Sequence, residues 1–381
     1  MLNSPDLETP LLLLDEKRMQ YNIERMQSRM NALGVGFRPH AKTSKCPEVV
    51  KRQLAAGAQG ITVSTLKEAE RFFDAGINDI LYAVAIVPSK LDHALRLVRK
   101  GLKLTLLVES VWAAEQLSQH GIQHGHCYDV LIEVDTDGHR SGIKPQDPQL
   151  GLVADALRVE GGYGARLKGV LTHAGSSYAL RTPEELEAMA ECERAGCVEA
   201  AQCLRAAGHS CSVVSVGSTP TALSARSLDG VTEVRAGVYV FFDLVMAGVG
   251  VCSVDDIAVS VMCTVIGHRP DVGWVITDAG WMAMSRDRGT QKQACDFGYG
   301  LVCSDSGTRI PELVFNEANQ EHGVLQWNGD DARRIDERFP VGSRLRILPN
   351  HACATGAQHE CYIALPSSGG APQRWDRFHG W

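Results

Sequence analysis

Short apolar runs alternate with amphipathic stretches through the first two-thirds of the chain. Runs at 35–37, 60–63, 80–84, 104–108, 130–134, 169–171, 213–216 and 233–235 are rich in Val, Ile and Leu and have the length of strands. Residues 65–75, 89–100 and 183–207 lie between them with the spacing of helices, and residues 16–33 precede them with an apolar stripe at Met19, Ile23, Met26 and Met30. That stripe is expected to be core packing. About eight nearly continuous apolar strands, most separated by helices, fit parallel strands buried on both faces. The pattern predicts a TIM-type (β/α)8 barrel over residues 10–250, with a doubly wound sheet as the alternative. A further apolar run, Leu11 to Leu14, has the length of a buried strand. Past residue 250 the texture changes to runs at 257–266, 274–277, 300–303, 324–327, 344–348 and 362–365 separated by turns, which predicts an antiparallel β domain over 251–381, joined by residues 1–9.

Length adds that 381 residues exceed what one core usually holds, which fits either one large barrel with an appendage or two domains. The net charge of −7 is mixed along the chain with no basic block, so nucleic acid is not an expected partner. No apolar run reaches the roughly 20 residues of a membrane span, and acidic residues stand where a secretory leader would be basic, so the expected location is the cytoplasm. Twelve cysteines without a Cys-x-x-Cys pair are expected to be reduced thiols.

The chemistry gathers where the predicted strands end. In Arg38-Pro39-His40-Ala41-Lys42-Thr43-Ser44-Lys45, the proline keeps Arg38 extended, and Lys42 falls just past the first strand. A lysine in a barrel mouth can lose its proton by desolvation and form a Schiff base with a carbonyl cofactor. The loops beginning at Asp135, Thr172, Gly217 and Gly237 fall at the same rim. Gly217-Ser218-Thr219 and Gly237-Val238-Tyr239 offer the backbone N–H groups, hydroxyls and small residues that a phosphate needs. Together with Lys42 they suggest pyridoxal 5′-phosphate. No GxGxxG or GxxxxGK[ST] motif points to a dinucleotide or nucleoside triphosphate. Farther on, His351 and Cys353 at i and i+2 on an extended segment would face one side, a combination suited to Zn²⁺. His359 and Cys361 leave open a closed four-ligand site or simple packing, and His322 is a candidate proton relay.

The strings Arg-Pro-His-Ala-Lys-Thr-Ser-Lys, Asp-Gly-His-Arg-Ser-Gly, His-Ala-Gly-Ser-Ser-Tyr, Ser-Val-Gly-Ser-Thr-Pro-Thr, Arg-Ala-Gly-Val-Tyr and Pro-Asn-His-Ala-Cys resemble, in order, those of the alanine-racemase-fold pyridoxal enzymes acting on D-3-hydroxy amino acids. The chain looks most like the dehydratases of D-threo-3-hydroxyaspartate and D-serine, and is similar at greater distance to D-threonine aldolases. The resemblance implies that Lys42, not Lys45, binds the cofactor. It implies that Arg140 approaches the phenolic oxygen, that His173 lies against the pyridine ring, and that Gly217, Ser218, Thr219 and Tyr239 hold the phosphate, with Tyr178 also among the cofactor-binding residues. It places the metal (Zn²⁺, or Mn²⁺ or Mg²⁺) on His351 and Cys353, and it implies a homodimer. The expected activity is a metal-assisted elimination giving a keto acid and ammonia, oxaloacetate in the case of 3-hydroxyaspartate, with D-serine and D-threonine as further substrates. Arg286 and Arg288 are candidates for the second carboxylate. The alternative is retro-aldol cleavage, which the cysteine at 353 disfavours because the aldolases usually carry aspartate there. A non-catalytic cofactor carrier would have no use for the β domain or a metal, and a racemase would need a second base that no residue here supplies.

Overall fold

A computed structural model describes residues 7–330 and 334–381. The first six residues, included in the expected β domain, lie outside the described residues, as does most of the N-terminal stretch weighed as a leader. The described residues divide into two compact units, Glu24–Gly237 with Gly380–Trp381, and a second made of the described residues before Glu24 and Val238–His379.

The first unit contains all eight parallel strands expected. They are β2 (Gly36–Phe37), β3 (Ile61–Val63), β4 (Asp79–Ala85), β5 (Lys103–Val108), β6 (Cys127–Val134), β8 (Tyr163–Thr172), β9 (Val213–Val216) and β10 (Glu233–Val234). β1 (Leu11–Asp15) belongs to the other unit, and the short β7 (Val159–Glu160) pairs antiparallel with β8. Hydrogen bonding runs β2-β10-β9-β8-β6-β5-β4-β3. A bridge between His40 and Thr62 closes the ring, reinforced by Thr62 N–H to the Pro39 carbonyl and Ala41 N–H to the Thr62 carbonyl, each 2.8 Å. Closure therefore brings the segment carrying Lys42 against β3 and fixes its path. One interior layer is built from Leu81, Leu107, Leu131 and Leu171, one residue from each of four adjacent strands. Met19, Ile23, Met26 and Met30 are all buried, as a packing stripe should be.

The second unit is a β sheet of β11 (Val259–Arg269), β12 (Trp274–Thr277), β13 (Leu301–Ser304), β14 (Arg309–Ala318), β15 (Gly323–Trp327), β16 (Arg344–Leu348), β17 (Cys361–Leu365) and β18 (Gln373–Asp376), joined by β1. Its order is β12-β15-β14-β13-β16-β11-β1-β17-β18, and pairing of β12 with β11 closes the first six into a barrel. All pairs are antiparallel except β1 with β17.

The boundaries differ from those expected at residues 10 and 250. β1 is hydrogen-bonded on both sides, to β11 and β17, and Leu11 and Leu13 pack with Met262, so the run from Leu11 links β17 and β18 to the sheet of the β domain rather than starting the α/β barrel. Downstream, Leu244 and Val245 donate to the carbonyls of Pro349 and Asn350, and Ala258 donates to that of Phe241, which ties the segment after Val238 to the β domain. β14 and β18 lacked an apolar signature because half of the residues of β14 and most of those of β18 are exposed.

Candidate active site

In the α/β unit, the turn after His40 presents Lys42 with its side chain exposed. Among the described residues no hydrogen bond or ion pair engages its amine, whereas Lys45 is committed to Glu68 at 3.2 Å and takes a left-handed backbone, φ 44°. The lysine expected to lose its proton by burial is thus open to solvent in the chain alone, because the turn carries it off the strand end. Its neighbours are neutral by construction. Burial pushes the His40 imidazole well below its usual range, and the charges of Lys42 and Arg235 add to the shift. His173 is lowered to about 4 by burial, against the hydrogen bond to the Gly217 carbonyl and with the charges of Lys42, Arg235 and Arg140 adding to the shift. That bond, 2.9 Å from Nδ1, requires Nδ1–H and leaves Nε2 as a lone pair.

The depressed pKa of His173 makes an acid-stability prediction. A neutral imidazole contributes its full stability above pH 6.5, and the contribution is lost as pH falls through about 4. The native protein is expected to lose up to about 3 kcal/mol more than His173→Gln across that window, read as Tm against pH. Parallel curves would show that His173 does not take up a proton on unfolding.

One carboxylate organises the loops after β8 and β9. Glu193, on the helix Pro183–Ala206, is fully buried and accepts from Ala174 N–H at 2.9 Å, Gly217 N–H at 2.9 Å and Thr221 Oγ1 at 2.6 Å. Its burial raises the carboxyl pKa, opposed by these three donors. Ser218 caps the one-turn helix Thr219–Ser224 through Thr221 N–H, its hydroxyl is 2.8 Å from that of Ser177, and its own N–H goes to Thr221 Oγ1. The N–H groups of Gly217 and Ser218, expected to face a phosphate, are therefore engaged by Glu193 and Thr221. Gly217 serves by shape: at φ 139° a side chain there would collide with the backbone of Arg235.

Arg235 is buried, donates to the Thr172 carbonyl and lies in the field of Glu233, Glu193 and Glu133. Arg140 is exposed, 3.6 Å from the buried Glu133, which also accepts from Ser141 Oγ at 3.1 Å. Tyr178, on the turn Gly175–Ala179, has its ring centroid 6.3 Å from that of His173. The structure thus brings together Lys42, Arg140, His173, Tyr178, Gly217, Ser218 and Thr219 in one unit, while buried Tyr239 lies on Val238–Val240 in the other. A free amine, a buried imidazole with a free nitrogen and a hydroxyl-lined loop fit a phosphorylated pyridine aldehyde.

In the β unit, His351 is not on an extended run with Cys353. It caps the short helix Ala352–Gly356, with Cys353 in its first turn. The reason is Asp243, a fully buried carboxylate that accepts from Ala352 N–H and Met246 N–H, 2.9 Å each, and so starts two helices at once. Cys353 still lies within hydrogen-bonding reach of the His351 ring. Asp287 Oδ2 takes His351 Nδ1 at 2.6 Å, and Asn350 holds the Asp287 loop by donating to the carbonyls of Asp287 and Gly298. Burial opposes the imidazolium, but Cys353 and Asp287 prevail and raise its pKa to about 11. With Nδ1 fixed by a carboxylate, a metal would take Nε2 and the Cys353 sulfur in exchange for the ring's second proton, an arrangement common among metal-ligating histidines.

The closed alternative does not form: His359 Nε2 goes to the Ala283 carbonyl at 2.9 Å, and Cys361 sits on β17 paired with β18. His322, the candidate proton relay, is exposed on the β14–β15 turn, and the group that supports the His351 ring is Asp287. Arg288 is bound to Asp296 at 2.9 Å and stacked at 5.1 Å on Tyr299, whereas Arg286 is exposed and stacked only on Trp281, 4.2 Å away.

Glu193, Arg235, Asp243 and Asp287 were not singled out from sequence. Glu193 had a signal: it falls on the apolar stripe Leu186, Ala190, Cys197, Ala201, Leu204, where a carboxylate needs a reason.

Residues 14–245 match the alanine racemase N-terminal domain model, and residues 258–365 match the serine dehydratase domain model. The chain is 60% identical over 377 residues to D-threo-3-hydroxyaspartate dehydratase of Delftia sp. (strain HT23), covering 98% of each. A solved structure of a D-threo-3-hydroxyaspartate dehydratase, its C353A mutant in the metal-free form, is 60% identical and superimposes with a TM-score of 0.95, covering 99% of each chain. D-threonine aldolase from Filomicrobium marinum gives a TM-score of 0.82 at 27% identity, covering 97% of this chain and 95% of that one.

Proposed function

Because the chain belongs to the alanine racemase N-terminal-domain family and carries a serine dehydratase domain behind it, we propose that it is a pyridoxal 5′-phosphate- and divalent-metal-dependent dehydratase of D-3-hydroxy amino acids. Its foremost substrate is D-threo-3-hydroxyaspartate, converted to oxaloacetate and ammonia by a cytoplasmic homodimer. The observation that carries the reading is a free lysine amine beside two neutral histidines in a chain that also holds a histidine–cysteine pair braced by Asp287.

Pyridoxal phosphate supplies an electron sink for the charge left at Cα, and the metal supplies a Lewis acid for the departing hydroxyl. Lys42 Nζ is the base that takes the Cα proton. His173, uncharged and held through Nδ1, would flank the cofactor's ring, and Arg140 would bind its phenolic oxygen. Ser218, Thr219 and Tyr239 would hold the phosphate, and Gly217 lets its loop pass close to the Arg235 backbone. His351 and Cys353 would hold the metal, with Asp287 keeping the His351 ring in register.

Arg286, free of any carboxylate among the described residues, is the residue for the substrate's second carboxylate. Arg286→Ala is expected to raise KM for 3-hydroxyaspartate by about 10-fold or more, a charged hydrogen bond's worth, while leaving D-serine turnover unchanged. Equal losses on both substrates would remove Arg286 from recognition.

Product analysis with D-threo-3-hydroxyaspartate tests the reaction itself. Oxaloacetate and ammonia are expected, whereas glycine and glyoxylate would make the enzyme an aldolase, the activity named for its 27% identical structural neighbour.

A further inference from the structure

Away from every residue assigned to catalysis, two helices of the α/β unit bring three metal-ligating groups together. His120 and His124 stand four apart on the helix Val111–His124 and therefore share a face, with ring centroids 4.4 Å apart. Asp92 lies in the first turn of the helix Leu91–Arg99, its Oδ1 3.2 Å from His120 Nε2. One ligand atom from each of the three can be chosen so that all lie within 4.8 Å of one another. Asp92 and His124 are exposed and His120 partly so, which lets an ion arrive without opening the fold.

The cluster has a built orienting contact. The Tyr128 hydroxyl, on β6, is 3.0 Å from His120 Nδ1. A phenol hydroxyl can accept from Nδ1–H at that distance. In that tautomer His120 Nε2 presents its lone pair toward Asp92, the arrangement a shared cation needs, whereas in the other Nε2–H donates to Asp92. A hydrogen bond to the ligand's other nitrogen is the usual way a protein aims a metal-binding imidazole.

We propose that Asp92, His120 and His124 form a second metal site that takes a late first-row divalent ion, Zn²⁺ or Cu²⁺, and ties the two helices together. The donor set selects the ion: two imidazoles and one carboxylate suit Zn²⁺ and Cu²⁺, while Mg²⁺ and Ca²⁺ prefer all-oxygen shells. Three protein ligands leave a position for water. Arg96 acts on Asp92, and Arg99 donates to the His124 carbonyl at 3.1 Å, so binding rests on the nitrogen donors rather than on net negative charge. On binding, the metal takes the place of the proton between His120 Nε2 and Asp92.

The test is Zn²⁺ equilibrium dialysis of the full-length holoenzyme followed by metal analysis. The Cys353→Ala background separates this site from the one proposed for catalysis. The native chain is expected to retain one equivalent more than His120→Ala/His124→Ala, and the same equivalent should persist in Cys353→Ala and vanish when all three substitutions are combined. Zn²⁺ should raise the Tm of Cys353→Ala but not that of the triple variant. Tyr128→Phe, which keeps all three ligands, should weaken the site about 10-fold or more. Turnover of the His120→Ala/His124→Ala protein should match the native rate. Equal zinc content with and without the two histidines would overturn the proposal, as would an extra equivalent that survives their removal. Should the double variant misfold, Asp92→Asn, an exposed change, reads the same loss of affinity.

Discussion

Lys42→Ala should be a colourless protein when supplied with pyridoxal phosphate and should turn over D-3-hydroxy amino acids slower than the native enzyme by about 10⁴-fold or more, the upper range for losing a positioned base, before the loss of covalent attachment is added. The expectation rests on the amine being unengaged while its near neighbour Lys45 is held by Glu68. The paired control is Lys45→Ala, which removes a half-buried ion pair and should keep colour and most of the activity. Borohydride reduction followed by peptide mapping reads the attachment directly. Label on Lys45, or native-like turnover by Lys42→Ala, would end the assignment of Lys42 as base and anchor.

Cys353→Ala and His351→Ala should each lose the catalytic metal and, with it, about 10³-fold in turnover, the scale of several kcal/mol of Lewis-acid assistance. Asp287→Asn should behave differently. It leaves both ligands in place but replaces the carboxylate that fixes His351 Nδ1 with an amide, so affinity should fall about 10- to 100-fold and excess Zn²⁺ should restore the rate. EDTA should silence the native enzyme and Asp287→Asn alike, and Zn²⁺ should revive both. Full activity in Cys353→Ala after exhaustive chelation would remove the metal from the reaction, and failure of zinc to rescue Asp287→Asn would mean that Asp287 acts directly on the chemistry.

These predictions draw unequally on what could be read along the chain. The parallel strands stood out because burial on both faces forces continuous apolar runs, as at Lys103–Val108 and Cys127–Val134. β14 was silent for the opposite reason: Arg309, Glu312 and Asn316 to Glu317 are solvent-facing, and the strand exists because its neighbours pair with it. The string around Lys42 announced a pyridoxal lysine through its resemblance, but the choice between Lys42 and Lys45 acquires a physical reason only once Glu68 is seen to hold the latter. His351 and Cys353 were legible as a pair, while their geometry was misjudged, since the helix that carries them is started by Asp243, more than a hundred residues earlier. His120 and His124 have helical ligand spacing in plain view, yet the third ligand, Asp92, comes 28 residues before the first of them.

What the order of residues determined unaided was local and periodic: which stretches become strands or helices, that the chain holds an α/β barrel and a β-rich domain, and which short strings carry nitrogen, sulfur and hydroxyl donors. What only the tertiary structure decided was partnership. Whether Leu11–Asp15 joins one sheet or opens another, which lysine keeps a free amine, and which carboxylate orients which imidazole depend on groups distant in the chain and adjacent in space. Charge and hydrogen bonding act through that spatial distance, over a few ångströms, and no periodicity in the sequence encodes it.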